Sequence, residues 1–305
     1  MYLRLSLIFL ISVLFMTNLQ SSTIYDNPIY FIEYEVYNVE SEIFLNGIVI
    51  SKDSDQGKTV SEIPVPEYII NGQNSIQVDL STKENIFDGT SYINLSLIVK
   101  DRADVSKTPT VLLNAFIQPG VDSKERAKKT TIKDGQSNIV FKDSSNTKIS
   151  ASTSINIQTN HNAWAWENGQ LIENNDANYQ SLLKEYIEIH TAMSNKDTNR
   201  IKSMYDAAAM EYATAYNHTD INKGHKIMNT FGFFDDPEWA IADANALIKN
   251  MDYRLHVYAN GKLANIIETE HNKSPIMFVE NETQNLAFLK FMFYKNKNGN
   301  WIMIR

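Results

Sequence analysis

The N-terminal half of the chain alternates apolar and polar residues with the two-residue period of a half-buried β-strand. In Tyr30–Val36, the residues at 30, 32, 34 and 36 are apolar or aromatic, and those at 33 and 35 are glutamates. Asn46-Gly47 between two apolar runs indicates a tight hairpin. Further short strands are predicted at 74–80, 92–99, 111–117, 138–141 and 154–159. Short strands without a helical period predict an antiparallel β-sandwich domain over residues 23–160.

After residue 175 the apolar residues recur at i, i+3, i+4 and i+7, the spacing of an amphipathic helix. This pattern predicts one helix over 177–194 and a second one that Asp197 or Thr198 can cap. Asp236-Pro237-Glu238 predicts the start of a third helix, with Asp as N-cap and Pro in the first turn. Strands are predicted to follow at 253–258, 262–268, 275–280, 286–294 and 301–304. Helices followed by strands predict an α+β domain over 179–305, joined to the first domain by a junction at 161–178.

Two stretches resemble known folds. Ile43–Ile50 and Ile69–Val78 are similar to strands of jelly-roll and immunoglobulin-like accessory domains. The N-K-D turn at 195–197, the I-x-x-M-Y segment at 201–205 and the terminal hairpin at 291–304 resemble the nuclear transport factor 2-like superfamily, which includes the SnoaL-type cyclases. That resemblance implies helices that cover one face of a curved sheet and leave a cone-shaped pocket. It includes no diagnostic catalytic motif, so it implies a fold and not an activity.

The first 22 residues have the layout of a secretory signal peptide. Arg4 precedes the apolar run Leu5–Met16, and a polar segment with small residues ends near Ser22. The run is shorter than the roughly 20 residues of a membrane span, although an uncleaved anchor and a buried element are alternatives. An exported chain with no cysteine fits a bacterial envelope better than a eukaryotic secretory route. We therefore expect a periplasmic protein whose mature chain has no membrane span.

The composition of the chain excludes several classes of binding site and active site. The 305 residues are 43% hydrophobic and carry a net charge of −8, which argues against a nucleic-acid binder. The absence of cysteine excludes disulfides, thiolate metal sites and a cysteine nucleophile. The chain contains no Gly-rich phosphate loop, no H-E-x-x-H and no G-x-S-x-G. We therefore predict no catalytic residue, no metal and no cofactor.

Four polar or aromatic residues could line a pocket in the C-terminal domain. His190 lies on the apolar face of the first predicted helix, Tyr205 and Tyr212 lie on the second, and His256 lies on the strand 253–258. In a cone they could point inward, with Asp206 or Glu268 as an acid or base partner. The alternative is a tyrosine-rich core in which hydroxyl groups and His190 find hydrogen-bond partners.

Other candidate binding residues have equally open roles. Trp164 and Trp166 could stack on sugars or anchor a partner protein, but we favour a seal between the two domains. Phe233 and Phe234 belong to the loop 231–237, which is either a plug on the core or a recognition loop. Lys290 interrupts the apolar run 286–293. We expect it on an exposed sheet face, because a buried unpaired ammonium is costly; a pocket is the alternative.

These features favour an exported, non-enzymatic protein that binds another protein. A specific form is an immunity protein that neutralises an interbacterial toxin, where an acidic surface would speed the encounter with a basic toxin. One alternative is a small-molecule binder or enzyme that uses a pocket in the C-terminal domain. Another is a carbohydrate-binding or structural protein of the envelope that uses Trp164 and Trp166. The sequence does not predict the oligomeric state.

Overall fold

The computed structural model describes residues 25–54, 57–84, 86–120, 127–132, 139–243 and 252–305. The predicted signal peptide lies outside these residues. Within them, the strands form four sheets in which every pairing is antiparallel, and the helices lie in the middle of the chain. The β character predicted for the N-terminal part is confirmed, and so is the order of helices followed by strands in the C-terminal part.

Ten strands build two five-stranded sheets in the N-terminal part. The first sheet has the order β4-β1-β6-β7-β8, and the second has the order β3-β2-β5-β10-β9. The strands are β1 Pro28–Tyr37, β2 Glu40–Leu45, β3 Ile48–Asp53, β4 Lys58–Pro64, β5 Gly72–Ser81, β6 Tyr92–Asp101, β7 Thr110–Ile117, β8 Ala127–Ile132, β9 Val140–Ser144 and β10 Lys148–Ile157.

Alternate side chains of both sheets enter one buried cluster. Ile32 of β1, Ile43 of β2 and Leu97 of β6 are all fully buried in it. Burying a side chain of this size contributes about 1.5–3 kcal/mol relative to leaving it exposed, so the cluster holds the two sheets together. The hairpin β2–β3 turns at Asn46 and Gly47, both with positive φ, as the Asn-Gly pair predicted. Strand β4 was not predicted, because it is an edge strand with no fully buried side chain.

The first two predicted helices are confirmed. They are α1 Asp176–Ser194 and α2 Thr198–Ala215, and the Asp197 carboxylate caps α2 by accepting a hydrogen bond from the backbone N–H of Arg200. A third helix, α3 Ile221–Met228, was not predicted; a short α4 follows at Gly232–Asp235. No helix in the described ranges combines the length and apolarity needed to cross a membrane.

The prediction of a helix that starts at Asp236 is wrong. Trp239–Ile241 forms strand β11, which pairs with β14 (Met277–Glu280). The Asp236 carboxylate accepts a hydrogen bond from the backbone N–H of Glu238 in a tight turn. The backbone N–H and C=O groups of 239–241 pair with β14 instead of forming the hydrogen bonds of a helix. The rest of the predicted helix, residues 244–250, lies outside the described residues.

The prediction of one strand over 286–294 is also wrong. The chain forms β15 Leu286–Phe288, leaves the extended ladder, and re-enters a different sheet as β16 Phe293–Lys295. Between them, the backbone N–H of Leu289 donates to the Ile276 carbonyl. The third sheet therefore has the order β11-β14-β15, and the fourth combines β12 Tyr253–Tyr258, β13 Leu263–Glu268, β16 and β17 Trp301–Met303 in that order.

Candidate functional site

A second apolar cluster joins the first two sheets to the C-terminal part. We call it the seam, and its buried members are Ile48, Trp164, Trp166, Ala215, Ala259, Leu263, Tyr294 and Ile304. Gly47 has a φ of +76°, and a Cβ added there would lie 3.1 Å from the Ala259 Cα. The β2–β3 hairpin therefore rests directly on the turn between β12 and β13.

The two tryptophans of the seam are almost completely buried. Trp164 is 3% exposed and Trp166 is 4% exposed. The indole N–H of Trp164 donates to the Ile69 carbonyl over 2.8 Å, which ties the junction to the N-terminal part. Neither ring presents a face at the surface on which a sugar could stack.

A buried charged group lies beside the seam. The Arg305 guanidinium donates to a Glu211 carboxylate oxygen over 2.6 Å, and also donates to the Glu67 backbone carbonyl. It lies 5.0 Å from the ring centre of Tyr68 and 5.6 Å from that of Tyr212. One Glu67 carboxylate oxygen, one Glu211 carboxylate oxygen and the Arg305 Nε are buried and make no hydrogen bond within the described residues. Two buried carboxyl groups therefore lie near one guanidinium, which forms an ion pair with Glu211 and acts on the Glu67 carboxyl group only through its charge.

This imbalance makes stability depend on pH. Burial raises the pKa of Glu67 and of Glu211 above the ordinary 4.5, although Arg305 opposes the shift. A carboxyl group with a raised pKa binds its proton more tightly in the folded chain. Its stabilising contribution is complete below the unfolded pKa, and it is lost as the pH rises through the folded pKa.

We therefore expect the free energy of unfolding to fall as the pH rises above 4.5. The fall should be smaller in Glu67→Gln, which has one ionisable group fewer beside the seam. Urea unfolding followed by circular dichroism at several pH values measures both slopes. Equal slopes in the two proteins would contradict the prediction.

The four residues predicted to line a cone-shaped pocket do not meet. The imidazole Nε2 of His190 lies 2.7 Å from the Ala242 carbonyl oxygen. Tyr205 is buried with its ring centre 6.2 Å from that of Phe291. Tyr212 lies beside the buried charged group, and His256 lines a cavity that His190, Tyr205 and Tyr212 do not line.

Aromatic side chains fill the space under α1 and α2. The ring centre of Tyr186 lies 5.7 Å from that of Phe291 and 5.5 Å from that of Phe293. Phe233 packs on the rings of Trp239 and Phe278, at 5.2 and 5.3 Å, which makes its position that of a core plug. The side chain of Phe234 lies outside the part of the chain that is described.

A cavity of about 330 Å³ lies between the β2–β3 hairpin and the fourth sheet. Two residues predicted as binding candidates, His256 and Lys290, line it together. We call it the hairpin cavity. Its walls are Glu42, Phe44, Gly47, Ile48, Val49, Lys52, Tyr186, Arg254, His256, Tyr258, Asn265, Ile266, Ile267, Asn272, Ser274, Lys290, Phe291 and Met292.

Charge and burial divide this lining in two. Lys52, Arg254 and Lys290 are exposed, whereas Ile266 and Phe291 are buried. The cations therefore form the solvent side of the cavity, and apolar side chains form its floor.

The polar lining residues differ in how they are paired. The Lys52 ammonium lies 2.5 Å from a Glu42 carboxylate oxygen. The Arg254 guanidinium donates to the side-chain oxygen of Asn272 over 3.1 Å. The His256 Nδ1 lies 3.2 Å from the side-chain oxygen of Asn265, and burial lowers the pKa of His256, so its imidazole is neutral at neutral pH.

The outer face of the first sheet is the second distinctive surface. Glu33 of β1 stands directly opposite Glu62 of β4, and Lys100 lies within ion-pair distance of both carboxylates. Partial burial and the Glu62 carboxylate raise the pKa of Glu33. Farther along the same face, the rings of Tyr37, Tyr92 and Phe116 form a stacked row, with centre-to-centre distances of 5.8 and 5.5 Å.

Two other polar clusters have structural explanations. The His225 imidazole lies 2.9 Å from an Asp206 carboxylate oxygen and 3.2 Å from the Thr230 hydroxyl. That hydroxyl already donates to the His225 carbonyl, so its proton is engaged, and the cluster fastens α3 to α2. Glu268, Glu270 and His271 lie close enough to share an ion, but the backbone N–H groups of 270 and 271 donate to the Glu268 carboxylate and close a turn.

Comparison with protein-family models, with curated proteins and with solved structures found no match for this chain. One wall of the hairpin cavity could be found from the sequence, because alternation along β12 places Arg254, His256 and Tyr258 on one face. No local pattern indicates that Lys52 and Phe44 form the opposite wall.

Proposed function

We propose that this protein is a non-enzymatic binding protein of a bacterial periplasm that holds a basic protein partner. In this proposal, a β-sandwich domain over 23–160 is joined to an α+β domain over 179–305. An immunity protein that neutralises a basic toxin is the specific form that we favour. The observation that carries the proposal is the outer face of the first sheet, which combines a facing pair of glutamates with a row of aromatic rings.

One pair of facing side chains on this surface is unfavourable for stability. Like charges directly opposite each other on neighbouring strands destabilise a sheet, yet Glu33 faces Glu62. Lys100 serves both carboxylates. A cationic side chain from a partner would relieve this repulsion, which is a reason for such a pair to occur on a recognition surface.

The aromatic row supplies the apolar contact area that such a surface needs. Tyr37 is 37% exposed and Val60 of the neighbouring strand β4 is 67% exposed. Tyrosine and other aromatic residues are enriched among the residues that dominate binding energy at interfaces. The Tyr92 hydroxyl donates to Glu35, which lies two residues after Glu33 on the same face of β1.

The test uses the tagged full chain and an envelope extract of the source bacterium. We expect one partner to co-purify at low salt with the unaltered protein, and we expect Glu33→Gln/Glu62→Gln to slow association with that purified partner about tenfold. The effect should shrink at high salt, because mobile ions screen exposed charges. Surface plasmon resonance gives the association rates.

A charge-matched control removes two exposed glutamates elsewhere, in Glu84→Gln/Glu282→Gln. This variant should keep most of the association rate of the unaltered protein. The proposal fails if no stable partner is found, or if both double variants bind the partner at the same rate.

A further inference from the structure

We infer that the hairpin cavity is a binding site for a small organic carboxylate, whose apolar body lies on the floor and whose carboxylate lies against Arg254 and Lys290. This site is separate from the partner surface proposed above. The outer face of the first sheet belongs to β1, β4, β6 and β7. The cavity is lined by β2, β3, β12 and β13, by Tyr186 of α1, and by residues 272, 274 and 290–292.

The lining of the hairpin cavity carries an excess of positive charge. The chain carries a net charge of −8, yet three cations and one carboxylate line this cavity. Glu42 pairs with Lys52. Within the described ranges, neither Arg254 nor Lys290 forms an ion pair with a carboxylate. Two positive charges thus line one cavity without a carboxylate partner of their own, which favours an anionic ligand.

The charged and the apolar lining residues lie on different sides of the hairpin cavity. The two cations are exposed, and the side chains of Ile48, Ile266 and Phe291 beneath them are buried. An amphipathic ligand fits this division, because its charged end can keep contact with water and its apolar end can leave water. Inorganic phosphate fits poorly, since it would leave the apolar floor without a partner.

The size and the lining of the hairpin cavity also match those of small-ligand sites. Ligand pockets typically have volumes of about 300–1,000 Å³ and are lined mostly by apolar side chains with a few polar groups. The hairpin cavity, at about 330 Å³, is at the small end of that range. A single aromatic ring or a short alkyl chain with one carboxylate matches this space. Arg254 can bind a carboxylate in the bidentate manner of guanidinium groups.

The test compares 4-fluorophenylacetate with its uncharged amide, 4-fluorophenylacetamide, by fluorine NMR titration of the full chain. We expect the acid to bind at least tenfold more tightly than the amide. Lys290→Gln and Arg254→Gln should each weaken binding of the acid about tenfold and leave binding of the amide unchanged, since each removes one charge-assisted contact.

Two further variants separate the site from unspecific attraction. Lys297→Gln removes an exposed lysine that does not line the cavity, and we expect it to bind the acid like the unaltered protein. Val49→Trp enlarges a side chain that is 39% exposed and lines the cavity, so it should abolish binding without unfolding the chain. Urea unfolding curves verify that each variant is folded.

Four results would overturn the inference. They are equal affinities for acid and amide, binding that survives Val49→Trp, displacement of the acid by an equal concentration of inorganic phosphate, and failure of both 4-fluorophenylacetate and octanoate to bind at millimolar concentration. None of these results depends on the protein partner, so the two proposals can fail separately.

Discussion

Replacing Arg305 by methionine should lower the free energy of unfolding by about 3–5 kcal/mol, because it leaves buried carboxyl groups without their cation. The guanidinium is the hydrogen-bond donor to Glu211 and to the Glu67 backbone, and it packs between two tyrosine rings. Methionine fills part of the same volume but offers no donor. Urea unfolding at neutral pH measures the loss as a lower midpoint.

A double variant distinguishes the effect of the lost ion pair from the effect of lost packing. In Arg305→Met/Glu211→Leu both members of the ion pair become apolar, so no carboxylate remains at position 211 to be buried alone. The double variant should be more stable than Arg305→Met, as found where buried ion pairs are replaced by apolar groups of similar volume. An unfolding midpoint for Arg305→Met equal to that of the unaltered protein would show that the buried charged group is not needed for stability.

Gly224→Ala should lower the free energy of unfolding by about 3 kcal/mol, at the upper end of the range for overpacked sites. A Cβ at this position would lie 1.7 Å from the Ala209 carbonyl oxygen, which is a backbone atom that cannot rotate away. Helix α3 would have to move away from α2 and disturb the hydrogen bond between His225 and Asp206. Thermal or urea unfolding measures the change.

Gly89→Ala is the matched control. Gly89 has no heavy atom within 4 Å of the position that its Cβ would occupy, and its φ is not positive. The same chemical change should therefore alter the free energy of unfolding by less than about 0.5 kcal/mol. Equal effects at the two positions would mean that helix packing does not exclude a side chain at 224.

The sequence predicts elements whose burial follows a local period. The alternation in Tyr30–Val36 predicts β1, and the helical spacing of the apolar residues predicts α1 and α2, because each buries one face. It failed at α3, which is short and contains a glycine needed for close packing. The sequence also does not predict residues 239–241, where pairing with β14 overrides the local pattern, or residues 289–292, where the chain passes from one sheet to another.

The candidate sites also contain residues that a local pattern predicts and residues that only distant contacts bring together. The shared face of Arg254 and His256 is a local property of one strand, so it could be predicted. The buried charged group could not be, because Arg305 bonds to residues 94 and 238 positions away in the chain. Trp164 and Trp166 are buried in the seam. They therefore have no exposed ring face on which a sugar could stack.

The contact between Gly47 and Ala259 has a consequence for motion. The hairpin cavity has one wall from the N-terminal part and one from the C-terminal part, and these walls meet where the hairpin rests on that turn. Any hinge movement that lifts the hairpin would separate the walls and release whatever lies between them. A bound ligand would then stabilise the closed arrangement of the walls. The size of this stabilisation equals the difference between the ligand's binding free energies for the closed and the open form.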